Sequence, residues 1–161
     1  MGSLSIWHVL IILIVLFFLA LPVIIMVFVK TPPPNRFGSA AEPMGFLEAV
    51  SSFFRNYVNF SGRARRSEYW YSMLFVYLAQ IVLIIIDISL FGFENGILSN
   101  IFSLGVLLPN IAVTVRRLHD INKSGWFQLI GALIPFGPII LLVLFCTEGS
   151  DGLTEQVAEV F

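Results

Sequence analysis

Arg116-Arg117-Leu118-His119-Asp120-Ile121-Asn122-Lys123-Ser124-Gly125-Trp126 (RRLHDINKSGW) sets three cations, one acid and one histidine between two long apolar runs. A second such stretch, NFSGRARRSEYW, occupies Asn59 to Trp70. All nine Lys and Arg residues fall into two segments between apolar runs. Lys30, Arg36, Arg55, Arg63, Arg65 and Arg66 lie between the first and second runs, and Arg116, Arg117 and Lys123 between the third and fourth. Moving a cation through hydrocarbon is costly, so short loops rich in Lys and Arg stay cytoplasmic. Both segments are therefore expected on the cytoplasmic side of one membrane, a positive-inside arrangement.

Composition agrees with a membrane setting. The 161 residues are 58% hydrophobic and 12% charged, with a mean hydropathy of +0.92. Soluble domains carry roughly 25% charged residues, and a core of this size cannot hide so much apolar surface, so the excess faces lipid. The net charge of −1 says little, because the asymmetry lies in placement. The single Cys146 excludes an internal disulfide and a cysteine-based zinc site. At the end of an apolar run it reads as a small buried hydrophobe.

The expected architecture is an all-α membrane protein with four transmembrane helices. Ile6 to Val29 forms an N-terminal anchor, with Pro22 as a possible kink, and the anchor unit is 1–30. A cleaved signal peptide fits poorly: no basic residue precedes the run, it is long, and no small-residue cleavage site follows. Residues 31–43 (TPPPNRFGSAAEP) read as a Pro-rich linker in extended geometry. The multi-pass unit is 44–146, with spans at about 69–90, 97–115 and 126–146 and a short amphipathic helix over Met44 to Val58. That helix either lies in the membrane interface or packs on the protein's own inner loops. An acidic tail follows at 147–161. The basic segments then place the N-terminus and the C-terminus outside. Trp70 and Trp126, at the inner span ends, are expected in the headgroup layer.

The two basic stretches should meet. With the turn between the second and third spans centred near Glu94, Glu68 lies 26 residues before it and Arg116 lies 22 after it. Four residues of helix amount to about 6 Å, so Glu68 sits at the depth of Arg116 and Arg117. Asp120 would reach Arg65 or Arg66 in the same layer, making Glu68 and Asp120 structural ion-pair partners. The bland reading of the cluster is orientation plus ion pairing, with Arg116 and Arg117 complementing a helix C-terminus. The sharper reading is that Arg63, Arg65, Arg66, Arg116, Arg117 and Lys123 bind anionic lipid headgroups or an acidic partner segment, since guanidinium forks match phosphate oxygens. His119 beside Asp120 suggests a turn rather than a general base.

Within the apolar runs, Asp87 is the single acid and lies near the outer interface, Gln80 lies near the midplane, and Asn100, Ser103, Asn110 and Thr114 offer hydrogen bonds across helices. Pro109, Pro135 and Pro138 allow kinks. No phosphate-binding loop, HExxH or nucleophile elbow is present. These features point to a non-enzymatic protein with no catalytic residues, metal or cofactor and no nucleic-acid partner. Its expected partners are membrane lipids, a second copy or another membrane protein. A small oligomeric transporter or channel using Asp87, Gln80 and Asn110 is the alternative.

From Gly45 onward the chain resembles the bacterial family called domain of unknown function 805. The residues that carry the resemblance are FxEAV at Phe46 to Val50, NFSGRARRSEYW, RRLHDINKSGW and Asp87 before the outer turn. The resemblance implies a small multi-pass protein of the bacterial inner membrane, the plasma membrane of the cell, and implies no reaction. Members often end in a Gly-Pro-Asn-x-Tyr/Phe-Gly tail, where this chain has TEGSDGLTEQVAEVF. Met1 to Leu19 resembles the start of the twin-arginine translocase A subunit, which supports an outer N-terminus. That family's Phe-Gly hinge and amphipathic helix do not follow at Ala20 to Pro34. A borrowed anchor is the reading, with an accessory role in an export complex as a further alternative.

Overall fold

The computed structural model describes residues 34–39, 42–92, 96–133 and 135–150. The expected anchor, its translocase-like start and the tail beyond Ser150 lie outside them. Among the described residues the structure is helical, apart from one isolated bridge between Asn35 and Gly38.

Helix α1 spans Phe46–Arg55. Gly45 is extended before it and donates its N–H to the Glu48 carboxylate at 3.0 Å. Glu48 in the first turn and Arg55 in the last both complement the helix dipole. Ala49, Ser52 and Phe53 are buried, packed towards helix α2, while Leu47 is 79% exposed on the other face. The helix thus has one protein-facing side and one open apolar side.

Helices α2 (Arg66–Phe91) and α3 (Ile97–Asp120) are antiparallel neighbours. With 26 and 24 residues they are long and apolar enough to cross a membrane, about 39 and 36 Å at 1.5 Å per residue. Their ends far from the basic segments are joined by Asp87. Gly96 cannot cap α3 with a side chain, and Asp87 of α2 does so instead, accepting from Leu98 N–H at 3.0 Å and Ser99 N–H at 2.8 Å. Gln80 bonds with the Ser99 carbonyl and accepts from Ser103 Oγ. Tyr57 donates to the Gly105 carbonyl, tying the end of α1 to mid-α3.

The fourth apolar run departs from expectation. It is no single crossing helix but a 3-10 turn (Gly125–Leu129), a four-residue helix α4 (Ile130–Leu133) and a ten-residue helix α5 (Gly137–Cys146). The chain folds back between α4 and α5. A methyl group on Gly137 would stand 1.9 Å from the Ile130 carbonyl oxygen, and one on Gly131 would stand 2.7 Å from Leu141. Gly125 abuts Val115, and Arg117 holds the carbonyls of Phe145 and Thr147. Both ends of the run therefore sit beside the same turns of α3. Helix α5 is about 15 Å long, half of a bilayer core of roughly 30 Å. Residues 147–150 sit within the basic layer, where the Ser150 N–H donates to the Asp120 carbonyl, instead of at the far end of the helices as expected.

The buried core gathers at this same end and includes Phe53, Tyr69, Trp70, Val113, Leu118, Leu141 and Phe145, with Cys146 half-buried against it. Trp70 is 6% exposed and stacks edge-on with Tyr69, so it is a core residue and not the headgroup-layer ring expected of it. Trp126 is 78% exposed. Towards the other end the helices turn apolar side chains outward, among them Ile81, Ile85, Ile101, Leu104 and Ile139.

Candidate functional site: a buried polar hub

The start of α2, the end of α3 and the end of α5 converge on a layer of buried charge. Glu68, in the first turn of α2, accepts from Arg116 Nη1 at 2.7 Å and from Ser52 Oγ of α1 at 2.8 Å. The two residues placed at one depth by counting along the sequence are thus in direct contact. The Ala64 N–H donates to the Arg116 carbonyl, holding the segment before α2 against the end of α3.

Asp120 is the second acid of the layer. Its Oδ1 lies 2.9 Å from Arg63 Nε and Nη2, and its Oδ2 lies 2.5 Å from Arg117 Nη1. These partners differ from the Arg65 and Arg66 expected. Sequence distance hid Arg63, because the extended residues 63–65 reach further along the layer than a helix would. Arg117 is wholly buried, and its other donors go to Phe145 O at 3.0 Å and Thr147 O at 2.5 Å. Those carbonyls lie at the end of α5, where backbone acceptors lack helical partners. Arg63 also donates to Gly38 O and to Asp120 O.

Burying a charge costs several kcal/mol unless partners replace water. Here the partners are built in. Arg63, Arg116 and Arg117 are each buried and paired with a carboxylate of the chain itself, with Arg116 Nε left as a buried donor without a partner. Arg65 is buried as well and Lys123 is half-buried. Arg66 differs. It lies at the margin, 12% exposed, and its Nη2 is 3.5 Å from Oε1 of Glu148, which is 53% exposed.

His119 and Asp120 do not act on one another. The Asp120 carboxylate is held by the two arginines, while His119 Nδ1 lies 3.1 Å from Gly62 O. Of the intramembrane candidates, Asp87 is a cap and Gln80 joins a side-chain pair, as described above. Asn110 is half-buried on α3.

One part of the hub differs from the expectation of an extended linker. Residues 34–39, taken as linker, form a tight turn docked on the end of α3. Asn35 and Gly38 exchange backbone hydrogen bonds of 2.9 and 3.1 Å, with Gly38 at φ +113°. Asn35 Nδ2 donates to the carbonyls of His119 (2.9 Å), Ser150 (3.1 Å) and Asp120 (3.3 Å). Arg36 Nη2 donates to Asn122 O at 2.8 Å, and the Phe37 ring stacks on His119 at 3.9 Å between centroids. The turn-forming pair of Asn and Gly around Arg-Phe was the available signal.

A family model described as "Protein of unknown function (DUF805)" matches residues 57–155. The chain is similar to "Inner membrane protein YhaI" of Escherichia coli (strain K12), 44% identical over 102 residues that cover 63% of this chain and 85% of the relative. It is also similar to "Inner membrane protein YhaH" of the same strain, 43% identical over 103 residues that cover 61% and 84%. No solved structure matches the chain.

Proposed function

The chain belongs to the DUF805 family of unknown function, and on that footing we propose that it is a non-enzymatic integral protein of the bacterial inner membrane. The names of its two relatives and the two long apolar helices support this location. In this reading α2 and α3 cross the bilayer, the polar hub lies at the cytoplasmic face by the positive-inside rule, and 125–146 enters the membrane and returns. Residues 147–150 are then cytoplasmic. The N-terminus stays outside if Ile6 to Val29 crosses once.

The role proposed is a lipid-anchored scaffold with anionic headgroups held at the rim of the hub. The observation that carries it is the contrast between Arg66 and its neighbours. Arg63, Arg116 and Arg117 are buried against carboxylates of the chain at 2.9, 2.7 and 2.5 Å, whereas the described contact of Arg66, at the margin, is one 3.5 Å approach to a half-exposed glutamate. A guanidinium has five N–H donors, and a phosphate displaces such a weak exposed pair easily. Half-buried Lys123 and exposed Trp126, three residues apart, add a cation and an interfacial ring at the same level.

The double variant Arg66→Gln, Lys123→Gln should purify as a folded, monodisperse protein with at least a several-fold loss of co-purifying anionic lipid, read by native mass spectrometry. Unchanged lipid content in that folded variant overturns the headgroup reading. The transporter alternative gains no specific support, because Asp87 and Gln80 are bonded between α2 and α3.

A further inference from the structure

The geometry points to a peptide-turn binding site on the end of α3, occupied in cis by Asn35–Gly38. The site is a cup of backbone acceptors. It is formed by the carbonyls of His119, Asp120 and Ser150, which converge on one Asn35 amide, and by the Asn122 carbonyl, which receives Arg36. The imidazole of His119 forms an aromatic wall, lying 6° from parallel with Phe37. The chemistry it selects is specific: a carboxamide with two N–H donors, a guanidinium one residue later and an aromatic ring next, presented by a turn that needs Gly at φ +113°. The carbonyls of His119 and Asp120 lie in the last turn of α3, at the negative end of its dipole, and accept the Asn35 amide alongside the N–H groups of Asn122 and Ser150.

Two observations distinguish the turn from the helices it docks on. The cup lies wholly within residues 57–155, which match the family, and the turn lies wholly outside them. The turn is also held by side-chain contacts and ring stacking, with Asn35 and Arg36 donating to the cup and Arg63 Nη1 donating to the Gly38 carbonyl. A segment from another protein with the same Asn-Arg-aromatic-Gly chemistry would compete for the cup whenever the cis turn lets go. This inference rests on the cup alone and does not depend on headgroup binding at Arg66.

The test uses the full chain in nanodiscs. Asn35→Ala with Phe37→Ala should vacate the cup. Amide hydrogen exchange over 116–123 should then rise severalfold, and a fluorescent peptide of residues 34–39 (PNRFGS) should bind the variant at least ten-fold tighter than wild type. A peptide with Ala in place of its Asn should not bind. Unchanged exchange in the variant overturns the proposal, as does faster exchange without peptide binding. If the double variant does not fold, Phe37→Leu alone gives the same two readouts. Lipid content measured in parallel separates this outcome from the fate of the headgroup reading.

Discussion

Asp120 holds Arg63 with one carboxylate oxygen and Arg117 with the other, and all three side chains are buried. Removing its charge leaves two guanidiniums facing each other without a counter-ion. Breaking a buried pair typically costs about 3–5 kcal/mol, so Asp120→Asn should lower the thermal unfolding midpoint in detergent sharply. Arg66→Gln should barely move it, since exposed pairs contribute about 0–1 kcal/mol. Asp87 makes a comparable contrast at the far end. Asp87→Ala removes the cap of α3 and should cost about 1 kcal/mol, again visible as a lower midpoint. At this scale the sequence revealed which residues meet only where both lie on regular helices. Glu68 and Arg116 were found by counting residues. Arg63 was missed because non-helical backbone has no fixed rise.

Helices α2 and α3 were legible because their apolar runs exceed the bilayer core and the Gly-containing turn between them is short. The fourth run satisfied the same length criterion and still folded back. Its glycines and prolines decide this. Gly137 allows the chain to pass the Ile130 carbonyl, and Pro138 at the start of α5 suits a helix's first turn. Gly137→Ala should therefore loosen the hairpin, at about 1–3 kcal/mol for the overpacking, with faster exchange over 137–146 as the measurable result. The fold-back also has a topological consequence. In a Cys146→Ala background, Ser150→Cys should resist a membrane-impermeant thiol reagent added to intact spheroplasts, as Ser124→Cys should, whereas Asn95→Cys should be labelled. Labelling at position 150 together with protection at 124 would restore a fourth crossing.

Across the described residues, packing is concentrated at one end. Core, ion pairs and docked turn lie in the basic layer, and the remaining length of α2, α3 and α5 shows apolar surface outward. That division suits a protein whose outer surface is solvated by lipid, where association rests on polar contacts and close packing more than on hydrophobic burial. The sequence by itself determined the membrane setting and the expectation of which side its basic segments face, because the cost of moving a cation through hydrocarbon depends on residue type and needs no partner. It also determined the α2–α3 pairing, since helical rise converts residue number to depth. Only the tertiary structure decided that Arg63, Arg116 and Arg117 are buried against the chain's own carboxylates, that the last apolar run returns, and that residues 34–39 close over the end of α3. Each of those outcomes depends on which acceptors arrive from distant parts of the chain, and a carbonyl carries no signature in its residue's name.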